Sequence, residues 1–283
     1  KIPISAIHFS SGYTLENNKR NIFIWNKKKF PNPKKFLNQL RLKGIYTVAN
    51  LKPVLLINHP FYKEAVRKDL FINSNFNKPL IIQFWGGKGS ILDFTKDQTC
   101  NWWKENLKKY IFQNGFDAIW NDNNEYDLED YDSYSYLNNI KVNSNDLSSY
   151  QGLLMSKSSY YATSNYYPKR RNYGVTRSGA IGIQNWVETW TGDNYTSWHS
   201  LKWSLSIGLG LSLSGVGLFG HDIGGFTGPK SEKELLIRSF QLMLFHPRFL
   251  MNSWKSNNSN NLQNINSPLM HKDMLPEIKK IIQ

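Results

Sequence analysis

Two aspartates stand in company suited to chemistry on a sugar. Asp122 sits in Trp120-Asn121-Asp122-Asn123-Asn124-Glu125, directly after the apolar run Phe116 to Trp120. Asp193 sits in Trp190-Thr191-Gly192-Asp193-Asn194. Indole rings stack on the apolar face of a sugar, and amides bind its hydroxyls. Cleaving a glycosidic bond requires two carboxyl groups, one ionised and one protonated, and differing surroundings move their pKa values apart. A lone Asp after a strand is more often a turn or a helix cap. Two of them, joined by Arg177 and Asp222, favour a catalytic pair.

These residues need elements to hold them. Ile4 to Phe9 and Phe116 to Trp120 read as apolar strands, Ile45 to Asn50 and Asn172 to Thr176 as further strands, and Leu211 to Phe219 is strand-like. Helical spacing runs from Pro33 to Lys43-Gly44, over His59 to Leu70, through Trp103, Leu107 and Ile111, through Trp198, Leu201 and Leu205, and over Glu232 to Leu244 and Pro276 to Ile282. Strands alternating with helices argue a parallel α/β sheet. Asp122, Arg177 and Asp222 follow strands at their C-terminal ends, which in a (β/α)8 barrel form the active face. Pro79 to Ser90 reads as irregular. Residues 126–161 read as a long polar insertion, a functional lid or a flexible excursion, and Ser256 to Ser267 as a solvated low-complexity loop.

Composition narrows the classes. The 283 residues are 40% hydrophobic and include 10 Trp, 15 Tyr and 16 Phe, enough to bury a sizeable core. The single Cys, Cys100, excludes an internal disulfide and a cysteine-based zinc site. No apolar run reaches the ~18 residues of a membrane-spanning helix, so no membrane partner is expected. The net charge of +14 would suit nucleic acid, but the lysines are scattered and asparagine is also heavily used. The charge therefore reads as residue usage and not as a nucleic-acid surface. His8, His59, His199, His246 and His271 show no metal spacing. Gly86-Gly87 and Gly89 lack the Gly-Lys-Ser/Thr of a phosphate loop. No metal or other cofactor is expected.

The sequence resembles glycoside hydrolase family 31, the retaining α-glucosidase and α-xylosidase group. Ile7 to Tyr13 is similar to the family's second-strand segment, and Asp93-Phe94 with Trp102-Trp103 to the loop and helix before the nucleophile. Ile119 to Glu125 resembles the nucleophile signature. Thr176-Arg177-Ser178 and Trp190 to Asn194 resemble the arginine and acid/base segments. His221 to Phe226 and Arg238 to Phe249 resemble the last two barrel segments.

The resemblance implies Asp122 as nucleophile and Asp193 as general acid, then base, with carboxyl groups ~5–5.5 Å apart. It implies Trp120, Trp190, Arg177, Asp222 and Phe226 as the substrate pocket. Three further pocket positions depart from the family: Ser10 and Lys52 each replace an Asp, and Asn252 replaces a His. The Met after the nucleophile is Asn123. Glucose itself is therefore not implied, and maltose should be a poor substrate. Lys52 either meets an acidic group on the substrate or packs its stem at the barrel mouth.

By this reading residues 1–283 are one catalytic barrel domain holding the second to eighth strands without the first. The last three of these strands are placed at Gln184 to Trp190, Leu211 to His221 and Phe245 to Phe249. The expected activity is retaining α-glycoside hydrolysis, with an α-transglycosylase or a non-catalytic carbohydrate-binding relative as alternatives. The partner is a carbohydrate, and the oligomeric state is open. A glycan on Asn194-Tyr195-Thr196 would block the acid/base, which favours a cytoplasmic or otherwise unglycosylated protein.

Overall fold

The computed structural model describes residues 2–254 and 265–283, in two compact units built from residues 4–187 and 188–283. In the first unit, the strands Ala6–Phe9, Tyr46–Leu51, Ala118–Asn121 and Gly174–Thr176 pair in parallel in that order. The register sets Ala6 beside Tyr46, Val48 beside Ala118 and Gly174 beside Ile119. Tyr46–Leu51 is buried at every position after the first, and Ala118–Asn121 throughout. That continuous burial is what a parallel sheet covered on both faces requires.

Helices return the chain between these strands. Pro33–Leu42 begins with Asn32 accepting the Lys35 N–H at 3.0 Å and is followed by Gly44 at φ +75°. Asp97–Asn106 continues through a wider turn at Leu107–Ile111 and ends at Gly115, φ +110°. Leu37, Trp103, Phe94 and Phe116 lie in one buried core with Met155 and Ala162 of the helix Ser148–Tyr166.

That last helix corrects the sequence reading of residues 126–161 as a long loop. The segment holds the hairpin Ser133–Leu137 with Ile140–Asn143, turned by Asn138 and Asn139 at φ +51° and +64°, a conformation Asn tolerates. The helix follows. Its buried residues are Gln151, Gly152, Met155, Ser156, Ser158, Ser159, Ala162 and Thr163. Mostly small and polar, this face shows no apolar stripe for periodicity to detect. The stretch read as irregular holds the antiparallel pair Ile82–Phe84 and Gly87–Ile91.

In the second unit, Glu188–Trp190, Phe219–Asp222 and Arg248–Leu250 pair in parallel. Trp198–Leu213 and Lys233–Met243 are helices, the first capped by Ser197, which accepts the Ser200 N–H at 3.0 Å. Leu236, Phe240 and Met243 pack with Ile223 and with Ile278 of Leu275–Ile282. The strand expected from Leu211 begins only at Phe219. Leu211-Ser212-Leu213-Ser214 alternates like a strand, yet the Ser214 N–H bonds the Gly210 carbonyl at 3.0 Å and the helix closes at Gly215, φ +80°. The low-complexity stretch 256–267 lies mostly outside the described residues.

Candidate active site

Asp122 is the first residue beyond the Ala118–Asn121 strand, and that strand is anchored from behind. The Trp103 indole donates to Ser159 Oγ at 2.9 Å, and Ser159 donates to Asn121 Oδ1 at 2.7 Å. The Asp122 N–H extends the ladder to the Leu51 carbonyl at 2.9 Å. The residue is 7% exposed, and its carboxylate is held from several sides. Oδ2 accepts from Asn50 Nδ2 at 2.9 Å and from the Lys52 ammonium. Oδ1 accepts the Asn123 N–H at 2.9 Å and lies 3.6 Å from Arg177 Nη1.

Lys52 is 6% exposed, and its ammonium also donates to Asn123 Oδ1. Arg177 is gripped by Glu125 through two bonds, at 2.6 and 3.0 Å, a paired geometry that fixes the guanidinium. Arg20 stands 5.2 Å from the Trp85 ring centroid and feels the charge of Asp122. Burial by itself would raise the Asp122 carboxyl. The charges of Lys52 and Arg177, with the hydrogen bonds from Lys52 and Asn50, outweigh burial and hold it below the usual carboxylate value. Lys52 is drawn below the usual lysine value, by burial first and then by Arg177 and Arg20, with Asp122 opposing.

The second unit carries a different cluster. Asp222 ends the Phe219–Asp222 strand and is 2% exposed. Arg248, 3% exposed, reaches it only at 3.6 Å and reaches Glu188 at 3.5 Å, with its guanidinium 5.4 Å from the Trp190 ring centroid. Gly220 makes that approach possible, since a Cβ there would lie 2.7 Å from Arg248 Cβ. Asn252 Nδ2 donates to Asp222 Oδ2 at 3.4 Å. Burial pushes the Asp222 carboxyl up to about 7, with Arg248 opposing and the charge of Asp193 adding to the rise. His221 bonds Thr191 Oγ1 at 2.7 Å. Burial and then His246 push it down to about 4, so it is neutral near pH 7.

Asp193 is exposed on the loop after Glu188–Trp190. The loop is pinned behind it. The Thr196 hydroxyl donates to the Thr227 carbonyl at 2.8 Å, and the Phe226 N–H donates to the Asn194 carbonyl at 2.8 Å. The second bond seats Phe226, half-buried, beside the acidic loop.

Among the sequence candidates, then, Asp122, Lys52 and Arg177 share one cluster, and Asp222, Asn252 and Trp190 share another. Trp120 is buried within its strand, its ring 5.9 Å from that of His8. Ser10 is exposed where the Ala6–Phe9 strand ends. Sequence reasoning missed Asn50, Arg20, Glu125, Glu188, Arg248 and His221. Asn50 carried a usable signal, because it is a polar residue at the end of the strand read over Ile45 to Asn50. Arg20 carried none, lying in a short hairpin far along the chain from its neighbours.

Parallel β/α units with charged side chains at the C-terminal ends of their strands fit the (β/α)8 class of domain. The family model for the "Glycosyl hydrolases family 31 TIM-barrel domain" matches residues 1–283, and the chain belongs to that family. It is 31% identical to "Alpha-glucosidase 2" of Bacillus thermoamyloliquefaciens, over 86% of this chain and 31% of the relative. It is 29% identical to human "Neutral alpha-glucosidase C", over 80% of this chain and 26% of the relative. A crystal structure of the glucosidase II alpha subunit superposes with a TM-score of 0.87 at 25% identity, over 99% of this chain and 30% of that one. The chain thus spans under a third of the length of these relatives.

Proposed function

We propose that this domain is the catalytic barrel of a retaining α-glycoside hydrolase, with a carbohydrate as its substrate. The observation that carries the reading is the ionised, multiply bonded Asp122 at the end of its strand. Asp122 is the nucleophile: one carboxylate oxygen attacks the anomeric carbon as the glycosidic bond breaks. Asp193, exposed on its pinned loop, gives its proton to the departing oxygen. It then takes a proton from the water that releases the sugar from Asp122. Arg177, Trp120, Trp190, Asp222 and Phe226 bind the sugar, and Ser10 and Asn252 shape what the pocket accepts.

The test uses the full-length protein and a panel of aryl α-glycosides. A slow fluorosugar substrate should leave one covalent sugar on the peptide carrying Asp122, read by mass spectrometry. Asp193→Ala should slow substrates with poor leaving groups by about 10²–10⁴-fold and activated aryl substrates far less. Equal losses on both would remove Asp193 from the acid role. Transfer of the sugar to an added acceptor in place of water would make the enzyme a transglycosylase, and no turnover on any member of the panel would leave a binding relative. Maltose should be split poorly, and Ser10→Asp should change the ranking of sugars. Efficient cleavage of maltose would sink the specificity reading.

A further inference from the structure

Two departures from the family pattern, Lys52 and Asn123, are far apart in sequence and of different chemistry. In the fold they meet. The Lys52 ammonium donates to Asn123 Oδ1 and to Asp122 Oδ2 at once. Asn123 holds the unusual φ of +49°, and in that pose its N–H also donates to Asp122 Oδ1 at 2.9 Å. One residue thus bonds one carboxylate oxygen through its main chain and fixes, through its side chain, the cation that bonds the other.

From this geometry we infer that Lys52 is a positioning residue for the Asp122 carboxylate, with Asn123 as its anchor, and not a ligand for the sugar. The inference deepens the proposed function and rests on its choice of Asp122. Burial supports it, because a lysine only 6% exposed has its ammonium committed to protein oxygens and not turned to solvent. So does the arrangement of charge. Asp122 is faced by Lys52, Arg177 and Arg20. Arg177 is shared with Glu125 through two short bonds, and Arg20 lies against Trp85. Lys52, in contrast, bonds the carboxylate itself.

The chemistry has two sides. A cation on the carboxylate keeps it ionised, and so ready to attack, at lower pH. It also stabilises the carboxylate as the leaving group when water breaks the sugar–Asp122 bond. Loss of the cation should therefore move the acidic limb of kcat/KM to higher pH. It should also slow release more than attack, so that kcat and KM fall together on activated substrates.

The experiment follows Asp122 directly and does not depend on turnover. The protein is labelled with ¹³C at aspartate carboxyls, and Asp122 is assigned by the signal lost in Asp122→Asn. It is titrated in the wild type, Lys52→Met, Lys52→Arg and Asn123→Met. The Asp122 midpoint should rise in Lys52→Met by on the order of one pH unit, the size given by an opposite charge within about 4–6 Å. Lys52→Arg should restore it, and Asn123→Met should move it the same way by less. Thermal melts screen for unfolded variants, and Asn123→Met, which removes no charge, carries the test if Lys52→Met does not fold. Superimposable titrations in the wild type and the neutral variants would overturn the inference. So would a loss in Lys52→Met confined to acidic sugars. If the carbon signal moves but the acidic limb of kcat/KM stays, Lys52 does position Asp122 and the nucleophile assignment is what fails.

Discussion

The two buried carboxylates, Asp122 and Asp222, occupy equivalent places at the C-terminal ends of parallel strands, yet the fold treats them oppositely. Asp122 has cations and donors in hydrogen-bond contact: Lys52, Asn50 and the Asn123 N–H. Asp222 has one cation, Arg248, at 3.6 Å, and one amide at 3.4 Å. Both are almost wholly removed from water. The first is held below the usual carboxylate value, and the second is pushed up to about 7. Burial is common to both, so it is contact that decides the sign: charge-assisted bonds at short range repay desolvation, and a guanidinium at arm's length does not. In the proposed mechanism this division is useful. A nucleophile must be ionised, whereas a group that holds sugar hydroxyls serves with or without its proton.

The sharpest break in this comparison is kinetic. Asp122→Asn should cost about 10⁴-fold or more in kcat/KM on any glycoside the enzyme turns over, because no covalent intermediate can form. Asp222→Asn keeps the shape and most of the hydrogen bonding, and should cost about 10²–10³-fold. Steady-state rates for both variants on one aryl glycoside decide the matter. Equal losses would mean that the two carboxylates do not divide the work as proposed.

Stability against pH should separate them next, and the signs are opposite. Asp222 has a folded pKa of about 7 against the usual 3.8. Its contribution to stability is therefore fully present below the unfolded value and is lost as pH rises through about 7. Asp122 is depressed in the fold, so its contribution is present above the unfolded value and is lost as pH falls. Denaturant melts from pH 4 to 8 should show Asp222→Asn gaining on the wild type as pH rises, by at most about 4 kcal/mol, and levelling off above pH 7. Asp122→Asn should show its deficit at the high end. A flat difference for Asp222→Asn would mean that its carboxyl is already ionised well below neutrality.

Removing the cations extends the same contrast. Arg248 has a side chain only 2% exposed, between Glu188 and Asp222, and Arg177 one 20% exposed, beside a half-open Glu125. Arg248→Met should cost about 3 kcal/mol at pH 8, where it strands ionised carboxylates, and clearly less at pH 5.5, where Asp222 can hold its proton. Arg177→Met should cost about 1 kcal/mol with little dependence on pH over that range. Urea midpoints at the two pH values measure both.

The contrast also marks where sequence stops being informative. The strands and the carboxylates that follow them were legible, because a buried parallel strand is a continuous apolar run and a polar residue at its end is conspicuous. The helix Ser148–Tyr166 was not, since its buried face is mostly Ser, Gly, Gln and Thr beside Met155 and Ala162, and Gly152 fits closely beneath the Asp122 loop. A Cβ on Gly152 would come within 2.7 Å of Ser178 Cβ and 2.8 Å of the Asn124 carbonyl. Small-residue packing of this kind leaves no hydrophobic period to read. The partners of the carboxylates were hidden for another reason. Lys52 reads from the chain as a substitution in a sugar-binding position, and only its contacts with Asp122 and Asn123 in the fold make it part of the Asp122 cluster. Arg248 sits inside a stretch read as strand, where a charged residue is easily passed over as an outward-facing one.

The smallest expected effect tests whether contact distance is the deciding variable. Asn50 and Asn252 make the same kind of bond, amide nitrogen to carboxylate, at 2.9 Å to Asp122 and at 3.4 Å to Asp222. If distance sets the strength, Asn50→Ala should cost about 1.5 kcal/mol, within the range for a hydrogen bond to a charged group. Asn252→Ala should then cost no more than about 0.5 kcal/mol, because a bond near the distance limit is weak. The two should also differ at acid pH. Asn50→Ala should raise the pH at which Asp122 takes up its proton, by removing a donor to the charged form, while Asn252→Ala should leave the Asp222 midpoint near where burial puts it. Melts of the two variants at pH 8, with carboxyl titration of each, give the comparison. Equal costs for the two amides would show that local dielectric, and not hydrogen-bond contact, sets the difference between the two carboxylates, and the account of why one is held ionised would have to be rebuilt on Arg177 and Lys52 alone.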